Sequence, residues 1–270
     1  MIKLNNKEIK YGHFPDKTIL LKENVEELII NKEEVVITWL FEANEELVVL
    51  HFLTMHLRSK GLDRIILKLP FIPNARQDRV KSEEDVFTLK YFAQWINLLA
   101  FEQVVVLDPH SYVSEALFDR IKVQSPKKYI DLVIDRMSIS EKDKLVLFFP
   151  DEGAMKRYSA MYEMPYVFGI KKRDWASGEI NGLTLAGQTE LVEGANILII
   201  DDICSKGGTF YHGAKELIKA GAKEINLYIS HCEDVIFEGK LLEEDVIQKI
   251  YTTNSIFTKK HERIEVFEYE

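Results

Sequence analysis

Residues able to do chemistry recur at strand ends along this chain, and the densest group is Asp201, Asp202 and the Gly207-Gly208-Thr209 turn that follows them. Adjacent carboxylates can accept hydrogen bonds from sugar hydroxyls. A glycine turn lets backbone N–H groups converge, and the positive end of a following helix suits a phosphate. Together they suit a sugar phosphate, although a buried strand with a plain glycine turn has the same pattern. Asp151, in Pro150-Asp151-Glu152-Gly153, is another carboxylate at a strand end, ahead of a helix carrying Lys156 and Arg157. Arg76, Gln77, Asp78 and Arg79 place two guanidinium groups on a proline-broken loop. These suit two-point contacts to phosphate oxygens, or else a surface salt-bridge cluster in which Asp78 pairs with its neighbours. His110 follows Asp108-Pro109 directly after an apolar run, where an imidazole can meet a metal or a phosphate or simply complete a turn. Lys171-Lys172-Arg173 stands at the root of a segment punctuated by Gly178, Gly182, Gly187 and Gly194, the makings of a mobile basic lid or of a solvated face.

The elements that must position these groups alternate between strand and helix. Apolar runs at Val35–Leu40, Arg64–Leu69, Gln103–Leu107, Leu145–Phe149, Tyr166–Ile170, Ile197–Ile200 and Glu224–Ser230 read as strands, with Thr18–Leu21 before them and Arg263–Tyr269 at the end. The acidic stretch Glu23–Glu27 reads as a solvated turn, and the strand before Asp201 reads as stopping there. Helical spacing marks Asn44–Lys60, Phe87–Leu99, Tyr129–Met137 and the segment from Thr209 to Gly221. His51 and His56 fall on the first of these as packing or surface residues. The polar break Ser125-Pro126-Lys127-Lys128, after which the βαβ rhythm restarts, predicts two α/β domains, 1–124 and 125–270.

Composition narrows the classes. With 270 residues, 46% hydrophobic content and a formal charge of −9, the chain can bury a full core and is unsuited to a general nucleic-acid or anionic-membrane surface. Phosphate binding must therefore come from a local basic pocket. No apolar run is long enough for a membrane span, and Cys204 and Cys232 lack CxxC spacing, so a cytoplasmic protein is expected.

Ala75-Arg76-Gln77-Asp78-Arg79, Leu107-Asp108-Pro109-His110, Pro150-Asp151-Glu152-Gly153, Lys171 to Arg173 and the Asp201-Asp202 loop occur in the order and approximate spacing found in ribose-phosphate pyrophosphokinases. The chain resembles that family over nearly its whole length. The resemblance implies two tandem phosphoribosyltransferase-like domains, each with a mainly parallel sheet flanked by helices. It implies Mg²⁺-dependent transfer of the β,γ-diphosphate of ATP to the anomeric hydroxyl of ribose 5-phosphate, releasing AMP and forming phosphoribosyl diphosphate for nucleotide biosynthesis. By the same resemblance Phe14, Asp16, Arg76, Gln77, Asp78 and Arg79 would hold ATP. His110 and Asp151 would position the metal, and Asp201, Asp202, Ser205, Lys206, Gly207, Gly208 and Thr209 would hold the ribose phosphate. Lys171 and Arg173 would act in catalysis. A homodimer or higher homo-oligomer is implied, because the family's Phe14 turn reaches across a subunit contact.

The chain departs from the family in three places. Thr18 stands where the family has glutamate, the family's first and last helices find no counterpart, and Ser205-Lys206 replaces an Asp-Thr pair in a loop that usually reads Asp-Asp-x-x-Asp-Thr-Gly/Ala-Gly-Thr. The lysine raises an alternative acceptor with a further phosphate, such as ADP-ribose, which would place the chain in NAD metabolism. A phosphoribosyltransferase or a non-catalytic regulatory homologue are the other classes.

Overall fold

The computed structural model describes residues 1–29, 34–137, 144–173 and 180–269, with backbone alone for 171–173, 180 and 181. The chain divides into two compact units, Met1–Ser125 and Pro126–Glu270. The first contains β1 (Ile2–Leu4), β2 (Lys7–Ile9), β3 (Tyr11–His13), β4 (Ile19–Leu21), α1 (Val25–Ile29), β5 (Val35–Trp39), α2 (Glu46–Ser59), β6 (Ile65–Lys68), α3 (Thr88–Leu98), β7 (Gln103–Leu107), α4 (Val113–Leu117) and β8 (Ile121–Gln124). The second contains α5 (Lys127–Arg136), β9 (Leu145–Phe149), α6 (Glu152–Tyr158), β10 (Tyr166–Arg173), β11 (Ile180–Gly187), β12 (Asn196–Cys204), α7 (Gly208–Lys219), β13 (Glu224–Cys232), β14 (Lys249–Thr253) and β15 (Ile264–Phe267).

The first unit's sheet has the order β2-β1-β5-β6-β7-β8. Its β5 to β8 ladders are parallel, and β1 runs antiparallel to both β2 and β5. The inner strands are runs of valine, isoleucine and leucine because helices cover them. Val49, Leu50, Leu53 and Leu57 of α2 and Leu89, Phe92, Ala93 and Ile96 of α3 recur at helical spacing and join the buried core. The Glu23–Glu27 stretch departs from the expected turn. Val25 is buried and Leu28 and Ile29 pack on the core, and that i, i+3, i+4 set is enough to wind α1 despite its acidic neighbours.

The second unit's sheet has the order β11-β10-β9-β12-β13-β14-β15. All its neighbouring ladders are parallel except β10 with β11. The chain therefore runs outward from β9 in one direction through β10 and returns to build the other half from β12. The change of direction falls between β9 and β12, and in open α/β sheets ligands bind at the carboxyl ends of the strands at such a point. Two strands outrun their expected ends. The β12 strand continues past Asp201 and Asp202 because its parallel pairing with β13 persists to Cys204↔Cys232. The β10 strand continues from Ile170 to Arg173 because β11 pairs with it. The chain's two cysteines thus lie side by side as buried free thiols, and the contact with Cys232, together with burial, raises the Cys204 thiol well above its usual range. Among the described residues no helix is long and apolar enough to cross a membrane.

One buried carboxylate holds the entry to α2. Glu46 is 1% exposed, and it accepts from the Trp39 indole at 2.8 Å, the Glu42 N–H at 2.9 Å and the Ala43 N–H at 3.3 Å. Glu46→Ala strands these donors, with the Trp39 N–H in the core. A loss of about 2–4 kcal/mol is expected in urea unfolding followed by tryptophan fluorescence. An unchanged midpoint would assign the turn's stability to packing alone.

Candidate functional site

In the second unit the carboxylates meet at the change of strand direction. The β9 ladder on β12 ends at Ile199↔Phe148, while the β13 ladder on its other side runs on past Asp201. The β9 pairing therefore stops short of Asp201, and Asp151 stands just beyond the end of β9 as the N-cap of α6, accepting from the Ala154 N–H at 3.0 Å. Asp202 is buried and lies 3.5 Å from the Arg157 guanidinium, which α6 carries back towards β12. Asp201 accepts from the Asp202 N–H at 3.0 Å. Burial, and then the negative charge of Asp202 and Asp151, hold the Asp201 carboxyl well above the usual carboxylate range. Crowded negative charge of this kind is stabilised by a cation or by hydroxyl donors.

The loop that follows is shaped from a distance. Gly207 adopts φ +76° as the N-cap of α7, and no side chain caps this helix, so the first N–H groups of α7 have no side-chain acceptor. A Cβ at Gly207 would sit 2.9 Å from Leu241, and one at Gly239 would sit 1.8 Å from the Lys206 carbonyl oxygen. Gly239 is therefore required by the close passage of the loop beside it. Sequence reading missed it, because a glycine in an unremarkable stretch says nothing of which distant backbone it touches. Lys206 pairs with Glu238 at 2.9 Å, with both side chains largely exposed. Its added charge is met by a carboxylate from the same distant segment. In the sequence Arg157 reads only as part of a helix, and its pairing with Asp202 arises from the fold.

In the first unit the loops after β6 and β7 come together, because those two strands are neighbours in the sheet. Asp78 is buried and is gripped by Arg79 through Nε at 2.6 Å and one terminal nitrogen at 2.8 Å. The Arg79 guanidinium pulls the Asp78 carboxyl down to about 2 against the opposing effect of burial, with Ser111 and His110 adding to it. His110 therefore lies within electrostatic reach of the arginine loop. Gln77 accepts the Thr88 hydroxyl at 2.6 Å through its side chain and the Leu89 N–H at 3.3 Å through its carbonyl, tying the loop to the start of α3. Arg76 and Arg79 are exposed. The salt-bridge reading of this loop holds for Asp78 and Arg79, whose side chain is exposed beyond the pair.

Phe14 and Asp16 occupy the tip of the β3–β4 hairpin. Phe14 is 49% exposed, and the hairpin closes through the Phe14 N–H to the Thr18 carbonyl at 2.9 Å. Asp16 accepts from the Thr18 N–H at 3.0 Å and the Thr18 hydroxyl at 2.7 Å, which lowers its carboxyl. Lys171 and Arg173 lie on β10, and the expected lid is, in its described part, the antiparallel β10–β11 hairpin with an irregularity at Lys172/Arg173. Their side chains, and Gly178 beyond them, lie outside the described residues.

A mainly parallel sheet whose change of direction carries an acidic strand end and a glycine loop is the α/β architecture of phosphoribosyltransferase-type domains. In agreement, residues 159–259 match the family model described as "Phosphoribosyl transferase domain". The chain is similar to ribose-phosphate pyrophosphokinases over most of its length. That of Thermococcus kodakarensis is 29% identical, covering 93% of this chain and 86% of the relative, and that of Sulfolobus acidocaldarius is 25% identical, covering 92% and 84%. The fold superposes on the crystal structure of phosphoribosylpyrophosphate synthetase from Mycobacterium smegmatis with a TM-score of 0.76, at 19% identity and with 97% of this chain and 86% of that one covered.

The Asp78–Arg79 pair gives a pH test. A carboxyl depressed to about 2 in the folded state contributes stability that is complete above the unfolded value and is lost as pH falls through the folded one. The stability difference between the wild type and Asp78→Asn, from urea midpoints, should be constant above about pH 5 and shrink from about pH 4 towards pH 2. A difference that stays the same down to pH 2 would remove the pair as its source.

Proposed function

We propose that this chain is an ATP-dependent diphosphotransferase that moves the β,γ-diphosphate of ATP to the anomeric hydroxyl of ribose 5-phosphate, releasing AMP and forming phosphoribosyl diphosphate. One observation carries this reading: Asp151, Asp201, Asp202 and the Gly207 loop gather at the change of strand direction in a chain that resembles ribose-phosphate pyrophosphokinases. In this reading the α7 N-terminus and the N–H groups of Gly208 and Thr209 hold the 5-phosphate. Asp201 and Asp202 accept from the ribose hydroxyls and orient the anomeric oxygen, and Ser205 lines the same loop. Arg157 fixes Asp202, so that one carboxylate is held in place while the other faces the sugar. In the first unit Arg76, Gln77 and Arg79 hold ATP phosphates, Asp78 aims Arg79, and Phe14 and Asp16 serve the adenine side.

The residues fit a magnesium–nucleotide complex better than a resident metal. Among the described residues no three His, Cys, Asp or Glu side chains form a cluster that could hold a metal ion. Mg²⁺ commonly takes one or two carboxylates and completes its shell with phosphates and water. Asp151 is the oxygen donor suited to this in the second unit and His110 the group proposed in the first, although imidazole is the weaker partner for this ion. When bound, Mg²⁺ would supply charge neutralisation at the phosphates. We further propose that the chain acts in the cytoplasm as a homo-oligomer.

Assaying AMP release from ATP, Mg²⁺ and ribose 5-phosphate tests the reaction. A phosphoribosyltransferase would instead consume phosphoribosyl diphosphate and a base, and a regulatory homologue would turn over neither. Lys171 and Arg173 should meet the diphosphate mainly as it transfers. Lys171→Ala or Arg173→Ala is therefore expected to lower kcat by roughly 10²-fold or more, with smaller changes in the KM for ATP. Wild-type turnover in either variant would sink that assignment.

A second acceptor reading comes from Lys206. Its exposed ammonium already binds a carboxylate, Glu238, at 2.9 Å, and an acceptor with a second phosphate, such as ADP-ribose, would offer a competing anion at the same place. Such a contact is worth about 1.5–3 kcal/mol, or roughly 10- to 150-fold in kcat/KM. Comparing ribose 5-phosphate with ADP-ribose in the wild type and in Lys206→Thr separates the readings. A wild-type preference for ribose 5-phosphate that the substitution leaves unshifted rules out the extended acceptor.

A further inference from the structure

The segment beyond β13 does more than shape the glycine loop. It forms a short 3₁₀ turn, Asp234–Glu238, and then passes Gly239 and Leu241 against that loop. Ile236 and Leu241 are fully buried and anchor it. Between these anchors Phe237 is 41% exposed, yet its ring is held on two sides. Phe257, 4% exposed, stacks on it with ring centroids 6.2 Å apart and 24° between the planes, and His261 meets it at 5.8 Å and 59°. Asp234 ties the neighbouring loop to the turn, accepting from the Thr258 N–H at 3.0 Å and from its hydroxyl at 2.5 Å. Phe257 belongs to the core of the second unit and already closes it at this point. The outer ring therefore adds little burial, and a phenyl ring fixed in place but left open offers an aromatic surface to a ligand.

Phe237 stands directly beside the cation of the glycine loop. The next residue, Glu238, pairs with Lys206 at 2.9 Å, and the one after it, Gly239, lies against the Lys206 carbonyl. We propose that Phe237, backed by Phe257 and flanked by His261, is a stacking subsite for the aromatic base of an acceptor that carries a nucleoside diphosphate, as ADP-ribose does. This subsite deepens the diphosphotransferase reading, on which it rests. With the ribose 5-phosphate group held at Asp201, Asp202 and the start of α7, a second phosphate would take the place of Glu238 at Lys206. Whatever that phosphate bears then meets residues 237–239 first. A sugar gains little from an aromatic surface, whereas a base has two π faces, and stacking one of them on a phenyl ring is worth roughly 5- to 150-fold in affinity. Free ribose 5-phosphate would leave both Lys206 and Phe237 unused. All of these groups belong to the second unit, so the subsite is complete within it.

Binding measurements separate the subsite from the transfer reaction. Isothermal titration of the full chain, with Mg²⁺ and saturating α,β-methylene-ATP to fill the site of the first unit, compares two ligands. One is ADP-ribose, and the other is ribose 5-diphosphate capped by a methyl group, which keeps both phosphates and their charge but lacks the nucleoside. The wild type should bind ADP-ribose about 10-fold or more tightly than the capped compound. Phe237→Leu, which keeps an apolar side chain and removes the aromatic face, should lose most of that difference. In Phe237→Trp the difference should persist, and the emission of the added indole should be quenched by ADP-ribose and not by the capped compound. Equal affinities in the wild type would overturn the proposal without any variant having to fold. So would an unquenched Phe237→Trp, or a Phe237→Leu chain with a wild-type far-UV spectrum and an unshifted ratio. AMP release reports the other conclusion separately. A chain that releases AMP with ribose 5-phosphate but shows no base-dependent binding keeps the transfer reaction and loses this subsite. One that shows base-dependent binding and releases AMP with neither acceptor keeps the subsite and loses the transfer reaction.

Discussion

The placement of β12 between β9 and β13 is the constraint on which the second unit depends. Its two ladders end at different heights, at Ile199 against β9 and at Cys204 against β13. The offset gives this acidic strand end ladder pairing with β13 on one side and none with β9 on the other. Parallel pairing makes this possible, because every strand from β9 to β15 except β11 delivers its carboxyl end to the same edge. Without the reversal of direction between β9 and β12, Asp151 and Asp201 would not be neighbours.

Charge is handled in the same manner in both units. The buried carboxylates Asp78 and Asp202 each have a guanidinium beside them, Arg79 from the same loop and Arg157 from α6, earlier in the same unit. A buried carboxylate left alone would take up a proton or destabilise the fold. The Arg79 pairing keeps Asp78 ionised, and each carboxylate fixes its arginine in turn. Asp201 has no such described partner and is held above the usual carboxylate range by burial and its acidic neighbours, so a bound cation would favour its charged form.

Much of this was legible in the sequence where one physical effect dominated. The helices α2, α3 and α7 were visible because their buried residues recur at helical spacing, and the inner strands because they are continuous apolar runs. The misses came from contacts at long range. The reading of β12 stopped at its first polar residue, whereas pairing with β13 carried the strand on through Asp201 and Asp202. The glycines between Gly178 and Gly187 suggested a loop, yet Leu183 is buried and β11 forms against β10. An acidic stretch hid α1. Nothing local distinguishes Gly239 from a turn glycine, since its importance lies in a carbonyl more than thirty residues away in the chain.

The clamp on the glycine loop also bears on transplantation. The curve of Ser205–Gly208 is moulded by Gly239 and Leu241, which approach it from beyond the end of β13, so the nine-residue acidic-and-glycine motif does not contain its own shape. Grafted alone onto another parallel sheet, Asp201–Thr209 would bring the chemical groups without the mould. The portable unit is the whole span from β12 to Leu241, and chimaeras between this chain and its relatives should be cut outside those limits.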